Sequence, residues 1–174
     1  VLGQTNYKEN PQAVIMSNTI NEFSNYFLKN KPDILVLLGD RFETLGIAIS
    51  AMLNRIPIAH IHGGEKTIGA IDDAIRHSIT KLSHLHFVSC DEYKNRVRQL
   101  GESPNNIFSV GSLGVENISS IKLKSKENLQ SILKIKNNKQ IFLVAYHPTT
   151  LSELTPIEEI EILLSALQIY KNQN

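Results

Sequence analysis

The amino-acid sequence predicts an α/β protein with a doubly wound parallel sheet, and three observations carry that expectation. Short continuous apolar runs such as Ile34-Leu35-Val36-Leu37-Leu38 stop abruptly at a glycine or a polar cluster, as strands buried on both faces do. Segments with apolar residues three and four positions apart alternate with these runs, as amphipathic helices do. The chemically versatile residues crowd just past the ends of the runs, where ligands bind in open parallel sheets.

Taken in order, Ala13, Val14, Met16, Ile20, Phe23 and Phe27 place apolar side chains on one face of a first helix, with Pro11 suited to its first turn. Pro32-Asp33 ends that pattern and residues 34–38 form the first strand. A helix over 44–54, a strand over 56–61, a helix over 72–82 and a strand over 85–88 follow. A helix over 92–100 closes at Gly101, a good residue for the left-handed position after a helix, and a strand over 107–110 ends at Gly111. Repeated βαβ units with right-handed crossovers build the sheet. Over 119–139 the chain turns polar and Lys/Asn-rich, with one amphipathic stretch at Leu129, Ile132 and Leu133. This predicts a first domain over 1–118, a linker over 119–139 and the beginning of a second domain over 140–174. In the last segment Ile141-Phe142-Leu143-Val144-Ala145 reads as a strand, ending at Tyr146-His147-Pro148, and 157–170 as a helix.

The composition narrows the function. Lys and Arg number 18 against 17 Asp and Glu, so a formal charge of +1 provides no field to draw nucleic acid or a membrane surface. The single Cys90 has no internal disulfide partner, and no cysteine pair has zinc-like spacing, which fits a reducing compartment and makes the cytoplasm the expected location. No run approaches the ~18 apolar residues of a membrane span, and no signal segment is seen. A start at Val1 and a stop in Lys171-Asn172-Gln173-Asn174, directly after a helical pattern, lead to the expectation that both ends are truncations.

Several residues past the strand ends have both a structural and a chemical reading. Asp40 follows a glycine and opens a helix, so it either caps that helix or presents its carboxylate to a ligand. Arg41 is either a solvated side chain or a bidentate clamp for a carboxylate or phosphate. Gly63-Gly64 before a polar stretch and a helix has the character of an anion-binding turn, although neither a dinucleotide fingerprint nor a Walker loop is present. His60 and His62 alternate at a strand end, as do His84 and His86, which is compatible with core histidines or with a metal site lacking the usual zinc spacings. Asp72 and Arg76 share a helix face at i,i+4, either as a surface ion pair or as a carboxylate tuned by a cation.

Together, Gly39-Asp40-Arg41-Phe42-Glu43, His60-Ile61-His62-Gly63-Gly64-Glu65 and Ile71-Asp72-Asp73-Ala74-Ile75-Arg76-His77, followed by Lys81-Leu82-Ser83-His84-Leu85-His86-Phe87, resemble the UDP-N-acetylglucosamine 2-epimerase family in residues, order and interval. The resemblance continues through Gly101, Gly111 and His147-Pro148. The Gly-Asp-Arg-Phe-Glu form and the Ile-Arg-His helix look like the hydrolysing branch, which feeds sialic-acid-type sugar synthesis.

What the resemblance implies is two Rossmann-like domains facing one cleft, a GT-B-like architecture, and a reaction on a UDP-sugar without metal or redox cofactor. UDP is eliminated to leave a 1,2-unsaturated sugar, and water adds to release N-acetylmannosamine. It also implies a homo-oligomer, dimer or tetramer, at full length. By position, Asp40 and Asp72 match family carboxylates of the catalytic centre, and Glu116 falls where another acidic residue occurs. His147 matches a histidine near the nucleotide phosphates, while Arg41, Gly63, Gly64 and Arg76 are implied as contacts to the UDP-sugar. His62 stands where characterised members carry Glu; a histidine exchanges protons near pH 7, or marks a different substrate such as UDP-diacetylbacillosamine. Most of the nucleotide-binding domain is expected to be missing, so the chain alone is expected to be inactive. The rival readings are a glycosyltransferase of similar architecture and a fragment that only folds.

Overall fold

Four of the apolar runs form strands in a computed structural model that describes residues 11–135, 141–148 and 152–173. These are β1 (Leu35–Leu38), β2 (Ile58–Ile61), β3 (Leu85–Val88) and β4 (Ile107–Ser109), all parallel and side by side in the order β1-β2-β3-β4. The helices are α1 (Gln12–Lys29), α2 (Phe42–Leu53), α3 (Asp72–Leu82), α4 (Asp91–Gln99), α5 (Leu113–Ser120), α6 (Lys126–Ile132) and α7 (Pro156–Gln173). The α/β expectation holds, and α3 and β3 occupy the spans the sequence predicts.

The register sets Leu37 opposite His60, His60 opposite His86, and His86 opposite Ile107. Because strand side chains alternate, these residues share one face with Leu35, Ile58 and Val88. Helices α2, α3 and α4 cover that face. Ala48 and Ala51 of α2 and Ile79 of α3 join Phe27, Leu37, Ile56 and Ile58 in the main core, and Val97 of α4 joins Val88 and Ile107 in a second. On the opposite face Val36 and Leu38 are 58% and 57% exposed, and the rings of Phe87 and Phe108 stack 5.5 Å apart. Strands that follow one another in one direction with helices on one side form one arm of a doubly wound sheet.

Packing rather than capping holds these helices. None of α1 to α4 begins with a side-chain cap hydrogen bond, a device contributing about 1 kcal/mol. Burying one isoleucine contributes roughly 1.5–3 kcal/mol, and Ile15, Ile56, Ile58 and Ile79 are all buried. Close approach of α1 and α2 is marked by Gly46, where an added Cβ would meet the Met16 carbonyl at 3.4 Å. Ser50 also donates from α2 to the Ile20 carbonyl of α1 at 2.9 Å.

The chain parts into two compact units between Glu116 and Asn117. In the second, Ser125 caps α6 by accepting the Asn128 N–H. Thr155 and Glu158 form a reciprocal capping box at α7, each accepting the other's backbone N–H, at 3.3 and 2.7 Å. One expectation changes here. Residues 141–145 are not a strand: 141–148 are irregular, and Leu143 is 96% exposed. A strand needs a neighbour for its hydrogen-bond ladder, and β1 to β4 all pair within the first unit. The described part of the stretch 119–139 contains the end of α5 and all of α6.

Candidate active site

At the carboxyl end of β1 the chain turns on Gly39, whose φ of +82° is a conformation only glycine adopts freely, and its N–H bonds to the Ile61 carbonyl at 3.2 Å. Asp40 follows. Its carboxylate does not cap α2, where Arg41 holds the N-cap position and no side-chain cap bond forms. Instead it pairs with the guanidinium of Arg76, a residue 36 positions away and only 4% exposed.

Arg76 directs two further donors at the loop between β2 and α3. Nη1 donates to the Glu65 carbonyl at 2.8 Å and Nη2 to the Thr67 hydroxyl at 2.9 Å. Asp73 lies 3.6 Å from Nη1 and accepts the Thr67 N–H at 3.1 Å. The i,i+4 pairing with Asp72 suggested by the sequence is thus replaced by Asp40 from across the sheet and by Asp73 at i,i+3. Asp72 is the first residue of α3, half-buried outside this knot.

His60 lies buried beneath the turn. Its Nε2 donates to the Gly39 carbonyl at 2.9 Å, because a carbonyl can only accept, and Nδ1 stands 3.2 Å from the Thr80 hydroxyl. Both nitrogens are thereby engaged, which leaves neither for a metal shared with His62. Burial pushes the His60 pKa down to about 4 against the opposing Gly39 hydrogen bond. Its cross-strand neighbour His86 is also buried and its pKa is lowered chiefly by burial, opposed by Glu102, whose Oε2 is 3.2 Å from Nε2 and which also pairs with Lys81.

A histidine whose folded pKa lies below its unfolded value adds stability that is complete above the unfolded pKa and lost as the pH falls. The unfolded chain takes up a proton near pH 6.5 that folded His60 refuses until about pH 4. Stability is therefore expected to drop across that window by up to about 3 kcal/mol from this residue, with His86 adding in the same direction. Urea unfolding at pH 7 and pH 5 checks it; equal midpoints would contradict neutral burial.

The glycine pair is packed rather than open. A Cβ on Gly63 would come within 3.0 Å of the Thr80 hydroxyl and 3.1 Å of His60 Nδ1. On Gly64, which has φ +80°, it would lie 2.5 Å from the Tyr93 carbonyl and 2.8 Å from Val97 of α4, and Arg96 donates to the Gly64 carbonyl. Gly64→Ala combines a left-handed backbone with a backbone clash and is expected to lose about 2–3 kcal/mol, read as a lower urea midpoint.

His62 closes the arrangement. It adopts φ +65°, so the period-two alternation of β2 ends before it and it does not share the face of His60. Its N–H bonds to the Phe87 carbonyl at 2.9 Å, and Nδ1 lies 2.6 Å from Glu65 Oε1, which also accepts from Ser89 at 3.4 Å. Asp40, Arg76, Gly63, Gly64 and His62 thus meet at the carboxyl ends of β1 and β2. Arg41 is exposed at the start of α2, Glu116 is exposed in the first turn of α5, and His147 is exposed in the second unit. Glu65, Thr67, Asp73 and Thr80 were assigned no role from the sequence, although Glu65, inside the His-Gly-Gly-Glu motif, and Asp73, beside Asp72 in the Ile71–His77 motif, carried a visible signal.

Residues 4–174 match the family model described as UDP-N-acetylglucosamine 2-epimerase. The chain belongs to that family. It is 47% identical over 161 residues to a polysialic acid biosynthesis protein of Escherichia coli, covering 90% of this chain and 40% of that protein. It is 46% identical over 157 residues to the hydrolysing GDP/UDP-N,N'-diacetylbacillosamine 2-epimerase of Campylobacter jejuni, covering 90% and 41%. This epimerase-family chain therefore spans about two fifths of the length of those relatives. The fold is that of the Neisseria meningitidis UDP-GlcNAc 2-epimerase crystallised with UDP-GlcNAc, with a TM-score of 0.64 at 18% identity over 78% of this chain and 38% of that one. Among the described residues no helix is long and apolar enough to cross a membrane.

Proposed function

We propose that the complete protein is a hydrolysing 2-epimerase acting on UDP-N-acetylglucosamine. A base removes the C2 proton and the C1–O bond to the diphosphate breaks, giving UDP and a 1,2-unsaturated sugar. Water then adds its oxygen to C1 while a proton returns to C2 on the other face, releasing N-acetylmannosamine. The observation that carries this reading is Asp40, a carboxylate at a strand end that is not capping its helix and is fixed by a buried guanidinium. Such a group is placed rather than merely solvated.

Asp40, Asp72 and His62 are assigned to proton exchange, with Glu116 as a further acid. Arg41, Gly63, Gly64 and His147 are assigned to the UDP-sugar, and Arg76 to the same site through its hold on Asp40. The complete protein is taken to be a cytoplasmic homo-oligomer needing no metal or redox cofactor. A second reading, the same reaction on UDP-N,N'-diacetylbacillosamine, is favoured by the 46% identity to a relative named for that sugar.

Incubating the complete protein in heavy water with each sugar nucleotide, and following UDP and free sugar by NMR, tests both. Deuterium is expected at C2 of the released sugar. UDP release with hydrogen retained at C2 would defeat the elimination pathway, and the faster of the two substrates names the sugar.

A further inference from the structure

The short contact between His62 and Glu65 performs no task in the reading above. We propose that Glu65 is a positioning residue that holds His62 in the tautomer with Nδ1 protonated and the Nε2 lone pair open for proton exchange. The proposal rests on the epimerase reading and adds to it a residue that acts through another.

Three observations support it. A carboxylate only accepts, so at 2.6 Å from Glu65 Oε1 the proton resides on Nδ1 of His62 and the lone pair of the neutral ring on Nε2. Nε2 has no bond within the described residues, and it is not among the buried polar atoms left without a partner, so it reaches solvent. The backbone reinforces this: a φ of +65° is disfavoured for any side chain, yet here it is held by the bond from the His62 N–H to the Phe87 carbonyl.

Glu65 is itself fixed twice. Its carbonyl accepts from Arg76 Nη1 at 2.8 Å and its carboxylate from the Ser89 hydroxyl past the end of β3. The same guanidinium that fixes Asp40 therefore fixes the loop that aims His62. Asp40 and the loop carrying His62, just past the ends of β1 and β2, thus share one buried anchor in Arg76. A solvated ion pair would show no such linkage to the rest of the site. A carboxylate orienting a histidine that does chemistry at its other nitrogen is a recurring solution.

The test uses Glu65→Gln, His62→Gln and the double variant of the complete protein, with steady-state UDP release and 15N NMR of labelled histidine. Glu65→Gln is expected to lower kcat about ten- to hundredfold with KM little changed. The double variant is expected to be no slower than His62→Gln alone, since Glu65 acts only through that ring. The His62 spectrum is expected to show a protonated Nδ1 in the unsubstituted protein and a mixture of tautomers in Glu65→Gln. Independent, multiplying losses from the two substitutions would overturn the proposal, as would a protonated Nε2 in the unsubstituted protein. The tautomer needs no turnover to be read. A protein that releases no UDP from either sugar would therefore defeat the epimerase reading, while the spectrum still decides whether Glu65 orients His62.

Discussion

Replacing Asp40 by Asn in the complete protein is expected to lower kcat for UDP release by roughly 10²–10⁴-fold, the usual scale for losing a positioned acid or base. Stability should fall by only about 1 kcal/mol, since asparagine has the same shape and its Oδ1 still accepts from the Arg76 guanidinium. This substitution separates the two readings of the residue sharply. Asn is as good a helix cap as Asp, so if capping were the whole role, activity would survive intact. The structure has already moved the carboxylate away from the helix, and kinetics with parallel thermal melts complete the comparison. A variant within threefold of the parent rate would remove Asp40 from the chemistry.

Arg76→Met should act on the fold itself. The guanidinium answers the Asp40 carboxylate, the Glu65 carbonyl and the Thr67 hydroxyl at once, and it is 4% exposed. Methionine fills much of the volume but leaves those groups facing an apolar side chain. Removing the guanidinium leaves the Asp40 carboxylate, still 26% exposed, without its cation and two further acceptors without their donor, which costs about 1–3 kcal/mol. A urea titration should show a midpoint lowered accordingly. Arg76→Lys should recover only part of the loss, since an ammonium is a point charge and cannot reproduce a planar fork that binds three acceptors in fixed directions.

Much of the fold was legible because short apolar segments stop at a glycine or a polar cluster. β1 reads as an unbroken apolar run even though Val36 and Leu38 are exposed, β3 as an apolar segment interrupted by the buried His86, and α3 shows its buried face through Ile79 and Thr80. α5 was not legible: its apolar residues Leu113, Val115 and Ile118 sit in a short segment that runs into the Lys/Asn-rich stretch, and none of its residues is buried. The run at 141–145 misled for the opposite reason: apolar composition signals a strand only where another strand is available to pair with it.

The candidate site divides along the same line. Strand-end position brought out Asp40, His62 and the glycine pair, since the end of an apolar run is a local property. The partner of Arg76 was hidden, because local spacing pointed to Asp72 four residues back and the actual carboxylate lies 36 positions away. The glycine pair likewise read as an anion cradle in one dimension. Only the approach of α4, with the Tyr93 carbonyl against Gly64, shows why a side chain has no room there.

The left-handed backbone at position 62 bears on how this site can vary over evolutionary time. Two independent filters act on that one position. The backbone admits glycine at no cost and tolerates asparagine, aspartate and histidine better than most residues, while excluding β-branched side chains. On the proposed function, the chemistry admits only side chains that take up and release a proton, carboxylates and histidine among them. Glycine and asparagine pass the first filter and fail the second. Histidine passes both, so any drift in function at this position must run through a very small alphabet unless the turn itself is rebuilt.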